Sequence, residues 1–185
     1  MENLFILMVP AGLILFFVGG RWMYAALKSK EIIKFPLDNQ KQEFRVDKPG
    51  LFSFSLIGGG YVKNSGGFRV SVKRKEYHIK VESHEPFIKS IIMKNWRIGV
   101  EYLHFKISDS GIYIVEIDGV KDLVIKGSIL KIKQLYQRSI PSKYIEVSIR
   151  ETIPPTKQLF GIIFFVLGAN ITAWGIILGL NLNIS

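Results

Sequence analysis

Apolar residues follow two rhythms along the chain, and the change of rhythm marks its parts. From Leu4 to Leu27, LFILMVPAGLILFFVGGRWMYAAL, they run on without a polar stripe, and no charge falls between Asn3 and Gly20. Leu159 to Leu180, LFGIIFFVLGANITAWGIILGL, repeats this, and Gln158 to Ser185 carries no charge at all. A soluble amphipathic helix shows a polar face, whereas a bilayer-crossing helix needs about 20 predominantly apolar residues. Both segments are therefore predicted to span a membrane. Arg21 can snorkel from the first while Trp22 and Tyr24 sit at headgroup level. Met-Glu-Asn before Leu4 lacks Lys and Arg, and Gly19-Gly20-Arg21 is a poor cleavage site. The first segment thus reads as an uncleaved anchor rather than a secretory signal.

Between Phe35 and Pro155 the rhythm becomes alternation. Phe68, Val70 and Val72 point one way and Arg69, Ser71 and Lys73 the other. Tyr77, Ile79 and Val81 repeat the pattern, so Phe68–Lys73 and Tyr77–Glu82 are expected to form a hairpin with the second trio inward. Further strands are expected at Glu43–Val46, Leu51–Ile57, Phe87–Met93, Val100–Ile107, Gly111–Ile117, Ser128–Lys133 and Lys143–Ile149. Many short strands with turn residues between them predict an antiparallel β-sandwich, immunoglobulin-like or jelly-roll-like. The organisation is residues 1–27, a helix with its juxtamembrane segment; 28–157, the β domain; and 158–185, the second helix. The fold class is membrane-anchored all-β, with two transmembrane helices forming a hairpin around the sandwich.

The alternating region contains an internal echo at an offset of 61 residues. Phe44/Phe105, Val46/Ile107, Gly50/Gly111, Phe52/Tyr113, Phe54/Val115, Leu56/Ile117 and Gly58/Gly119 correspond. Each copy reads as a strand, a turn whose glycine can take φ > 0, and a second strand. Two similar corners within one sandwich are expected, with Gly50, Gly111 and Tyr113 as structural corner residues. Asp109-Ser110-Gly111-Ile112-Tyr113 resembles the run entering strand F of immunoglobulin-like domains, where the Tyr hydroxyl ties the corner to the backbone. The resemblance is confined to that motif. Val115 stands where those domains carry a cysteine, and Trp96 is too close to Val115 to be their core tryptophan.

Composition and charge narrow the reading. Of 185 residues 48% are hydrophobic, which excludes a disordered chain, and the lack of cysteine excludes a disulfide scaffold. All 25 basic residues lie between Arg21 and Lys157, with every acid but Glu2. Basic residues close to the helix ends face the cytoplasm as a rule, which favours that side for the β domain of a two-pass inner-membrane protein of bacterial type, while long loops translocate largely regardless of charge and the outer side stays open. Arg21, Lys28, Lys30 and Lys34 near the membrane, and Lys73, Arg74 and Lys75 at a turn, are candidate contacts for anionic headgroups. Gly175 and Gly179 form a G-x-x-x-G, and with Gly168 and Asn170 they are candidate helix-packing residues.

No catalytic constellation emerges. Cysteine nucleophiles and zinc knuckles are impossible here, and no G-x-S-x-G, H-E-x-x-H or Walker lysine motif occurs. His78, Glu82 and His84 fall on one face of the expected strand, but Lys80 sits among them, so they read as a solvated face. His104 has no acid or nucleophile partner identifiable from the sequence. The glycine-rich runs at Ile57–Tyr61 and Asn64–Gly67 precede a strand rather than a helix, so they read as turns, not a phosphate cradle. Glu82 with Glu85, and Asp118 with Asp122, read as surface charges. The expectation is a non-enzymatic protein with no metal or cofactor. Its partners are the lipid bilayer and other membrane subunits or a second copy, with no nucleic acid because the aromatics sit on inward positions. A binding module for anionic lipid or acidic polysaccharide is the alternative, and a membrane-bound hydrolase the second alternative.

Overall fold

A computed structural model describes residues 2–86, 89–94 and 97–182. The chain runs from α1 (Glu2–Leu27) through a β-rich region, interrupted by the short helix α2 (Lys131–Tyr136), to α3 (Pro155–Leu182). It divides into two units: both long helices, and residues Lys30–Thr152.

Within the helical unit, Leu7–Leu27 and Pro155–Gly179 are long and apolar enough to cross a membrane. They pack antiparallel through glycines. A Cβ on Gly12 would collide with Thr172, one on Gly19 with the Phe165 backbone, and one on Gly168 with the Phe16 backbone. Gly161 and Gly175 lie on the same line, against Trp22 and Val9. The spacing is seven residues on each helix, the repeat that keeps one seam facing a partner helix. Phe16 stacks on Phe165 across it at 4.4 Å.

In the β unit, one antiparallel sheet has the order β1 (Glu31–Pro36), β12 (Glu146–Glu151), β3 (Gly50–Ile57), β9 (Arg97–Ile107), with β7 (Ser83–His84) and β8 (Ile91–Lys94) both pairing with β9. A second has the order β2 (Lys41–Val46), β10 (Gly111–Asp118), β5 (Arg69–Arg74), β6 (Lys80–Val81). A third pairs β4 (Tyr61–Asn64) with β11 (Leu123–Lys126). Phe52, Phe54 and Leu56 of the first sheet and Phe44, Val72, Tyr113 and Val115 of the second share one apolar core. Phe44 meets Phe105 edge-on at 6.4 Å across it.

The internal echo is visible as symmetry. Strand β2 lies in the second sheet and β3 in the first, while β9 lies in the first and β10 in the second, so each copy is a corner crossing between sheets. The two corners pair with each other. Gly50 opposes Ile107 just as Gly111 opposes Val46, and Phe52 opposes Phe105 just as Tyr113 opposes Phe44. From Gly50 to Phe54, shifting the register by 61 residues reproduces that of Gly111 to Val115. Tyr113 Oη donates to the Asp109 carbonyl at 2.9 Å, tying its corner down. Phe52, its counterpart, has no hydroxyl. Of the two corner glycines only Gly111 has positive φ, at 157°.

Several expected elements are corrected. Only Lys80 and Val81 pair with β5, so the Tyr77–Glu82 strand is largely a turn. His78 closes that turn with φ 54° and an N–H bond to the Arg74 carbonyl. Tyr77 and Ile79 are consequently exposed rather than inward, and the Arg74 guanidinium lies over the Tyr77 ring. The Ser128–Lys133 strand is instead a bend leading into α2. The Gln134 side chain donates to the carbonyls of Ser128 and Ile129, folding the segment back on itself instead of leaving it free for a ladder. Ser142–Tyr144 is a single helical turn, so Lys143–Ile149 becomes β12 three residues later. Strands β1, β4, β7 and β11 lie outside the expected segments. Phe87 and Ile88 of the expected strand Phe87–Met93, and Trp96, lie outside the described residues.

Candidate functional site

Strand β9 carries a β-bulge. Its register against β3 slips between Leu103, opposite Phe54, and Glu101, opposite Ser55, so Tyr102 is the extra residue. A bulge changes which face the following side chains use. Tyr102 and Leu103, adjacent in sequence, both join the core, and Glu101 and His104 meet on the opposite face. Both are 0% exposed.

Glu101 is the hub of a buried polar cluster. His104 Nε2 lies 3.3 Å from Glu101 Oε2, while Arg150 Nη2 donates to Oε1 at 3.2 Å and Thr152 Oγ1 stands 3.4 Å from it. Ser53, Ser55 and Ser148, also buried, floor the same face, and Ser148 Oγ donates to Glu31 at 2.6 Å. His84, opposite His104 on β7, presents its ring edge-on at 6.0 Å. Burial by itself pushes the Glu101 carboxyl up. The His104 hydrogen bond, the Arg150 and His104 charges and the Ser90 hydroxyl outweigh it and hold the carboxyl below its ordinary range.

A serine, a histidine and a glutamate on one face invite comparison with a hydrolytic triad. That chemistry needs a serine hydroxyl on the histidine nitrogen not used by the carboxylate. Here His104 Nδ1 has no hydrogen-bond partner, Ser53 Oγ instead lies 3.5 Å from Ser55 Oγ, and the whole group is closed to solvent. The geometry is that of a charged strut locking β9 to β12.

The expected anion contacts in the β unit are spent on acids. Lys73 Nζ pairs with Glu116 at 2.5 Å, Arg74 with Glu76 at 3.1 Å and Asp109 at 3.3 Å, Lys75 with Glu43 at 2.7 Å, and Lys34 with Glu146 at 2.7 Å. The hydrogen bond from Lys73 is the main reason the Glu116 carboxyl lies below its ordinary range. Lys34 stands on the first sheet and the Lys73–Lys75 group on the second, so they form no single patch. Arg21, Lys28 and Lys30 are exposed, with the Lys28 ammonium 5.4 Å from the Tyr24 ring centre. An open groove of about 340 Å³ beside the tyrosine corner is lined by Arg74, Lys80 and Lys106 but also by Glu82 and Asp109, which offset two of its three positive charges. The row of His78, Glu82 and His84 does not exist, because β6 and β7 belong to different sheets.

Among the helix-packing candidates, Gly168 and Gly175 lie in the seam. Asn170 is on the exposed side of α3 and donates to the Val166 carbonyl of its own helix at 2.8 Å. Gly12, Gly19 and Gly161 complete the seam. The heptad spacing rather than the G-x-x-x-G was the signal that would have found them.

Comparison with known proteins adds no relative. No family model, no curated protein and no solved structure matches the chain.

Proposed function

We propose that this is a two-pass inner-membrane protein of bacterial type whose β domain, an immunoglobulin-like or jelly-roll-like sandwich, is a non-enzymatic interaction or scaffold module, an accessory subunit of a membrane assembly. One observation carries the reading. The helix pair closes on itself through glycines, yet Leu7, Ile14, Phe17, Ile162, Val166 and Trp174 stand exposed on its outer surface. Exposed apolar surface of that extent needs lipid or partner helices as cover. In the β domain the two sheets share one apolar core, and Arg150 of β12 bonds the buried Glu101 of β9. Resistance of the full chain to alkaline carbonate extraction, together with co-purification of other membrane subunits or of a second copy, is the expected result. Release by carbonate overturns the membrane-spanning part, and recovery always as a lone monomer overturns the accessory-subunit part.

The second reading, binding of anionic headgroups, draws support from a different part of the domain than the cations first expected to carry it.

A further inference from the structure

Residues 123–145 carry five basic residues, Lys126, Lys131, Lys133, Arg138 and Lys143, and no acid. Among the described side chains, Lys126, Lys133, Arg138 and Lys143 form no ion pair, in contrast to the neutralised Lys73–Lys75 turn. Lys126 instead donates to the Gln134 carbonyl, and Lys143 lies 5.0 Å from the Tyr144 ring centre. The same segment carries the three most exposed large apolar side chains among the described residues of the β unit. On α2, Ile132 is 76%, Leu135 77% and Tyr136 87% exposed, on one helical face at i, i+3 and i+4, with Ile129 and Leu130 exposed just before it.

A folded domain gains nothing by turning such a face to water. Apolar side chains on one face, ringed by cations free of acids, match the two layers of an anionic bilayer surface: headgroup charge outside, acyl chain beneath. We infer that residues 128–138 dock on an anionic lipid surface, with Ile132, Leu135 and Tyr136 inserted at the headgroup–acyl boundary and Lys133 and Arg138 on the phosphates. The inference rests on the reading that α1 and α3 hold the chain in a bilayer. A free acidic polysaccharide would satisfy the cations but leave the apolar face uncovered.

The chain has no cysteine, so Ile132→Cys and Leu135→Cys each give a unique site for an environment-sensitive fluorophore on the full chain. Each labelled protein is reconstituted in lipid nanodiscs of phosphatidylcholine alone or mixed with phosphatidylglycerol, with Ser65→Cys on the exposed β4–β5 turn as the aqueous reference. In anionic discs both labels are expected to shift to the blue, to be shielded from acrylamide and to be quenched by spin-labelled acyl chains, while position 65 stays aqueous. Lys133→Gln and Arg138→Gln should each lower the docked-to-free ratio about fivefold, the effect of one charge at such a surface, and added salt should do the same. Equal acrylamide quenching at 65, 132 and 135 in anionic discs overturns the inference. Shielding that appears only with several copies per disc, or only after a cell extract is added, also overturns it, in favour of a second copy or a protein partner. Carbonate extraction of the same preparations reads the membrane-spanning proposal separately, so failure of one is not mistaken for failure of the other.

Discussion

At the scale of single residues, Glu101 is the most consequential side chain in the β unit. Truncating it leaves the buried His104 and the half-buried Arg150 without their acceptor, a loss of about 3–5 kcal/mol. Glu101→Ala should therefore unfold at much lower denaturant than the parent, whereas Tyr113→Phe, which removes one hydrogen bond to the Asp109 carbonyl, should cost about 1 kcal/mol. Equal losses in the two variants would contradict the role given to the cluster. Glu101 also makes stability depend on pH. Its carboxyl is lower in the folded protein than its ordinary value near 4.5, so the unfolded chain binds that proton first as pH falls. The stabilisation is complete above that value and disappears as pH drops through the lower folded one. Denaturant midpoints should hold steady down to the ordinary carboxylate range and then fall, with a shallower fall in Glu101→Gln. The signal for this site stands in the sequence. In Val100-Glu-Tyr-Leu-His-Phe-Lys-Ile107 the apolar positions change phase between Tyr102 and Leu103, which is what a bulge requires. Strict alternation puts Glu101 and His104 on opposite faces, and that is why the partnership stayed hidden.

Among elements, the helices and the long strands were legible because their periodicity extends over many residues. β2, β3, β5, β9 and β10 all fall on expected segments. The two echoing corners were legible too, since a 61-residue offset repeated at seven positions leaves little freedom in register. What escaped were β1, β4 and β11, each four to six residues long, and the two-residue β7. Pairing decides such segments more than pattern does: β1 exists because β12 is there to receive it. Ser128–Lys133 failed in the opposite sense, since its alternation found no neighbour and a side-chain amide captured its carbonyls. For the helix pair, the glycine seam makes a direct prediction. Gly168→Ile places a branched side chain against the Phe16 backbone, and overpacking of this kind costs about 1–3 kcal/mol. A disulfide between Phe16→Cys and Phe165→Cys should form readily in the parent and poorly in the Gly168→Ile background. Ala173→Ile, on the exposed side of α3, should leave its yield unchanged.

For the whole molecule, the two-pass proposal raises first the question of the side of the membrane on which the β domain would lie. Ser65→Cys gives a single exposed thiol away from the core, better suited than its neighbour Asn64, whose side chain bonds Phe68 and Tyr102 and braces the turn. An impermeant maleimide is expected to label it only after lysis, as the distribution of Lys and Arg beside the helices requires. Labelling in intact cells would move the domain, and the search for its partners, to the outside. The β unit has one further property, set by where its chain enters and leaves. Strand β1 begins where β12 ends: Glu31 opposes Arg150, and Glu151 donates to the Lys30 carbonyl at 2.9 Å. Tension that drew those two ends apart would load the β1–β12 hydrogen bonds one at a time, as a zip opens, instead of shearing them all together. The domain is thus mechanically weakest at the point where it is tethered, and a pull too small to disturb its core would peel away its first strand.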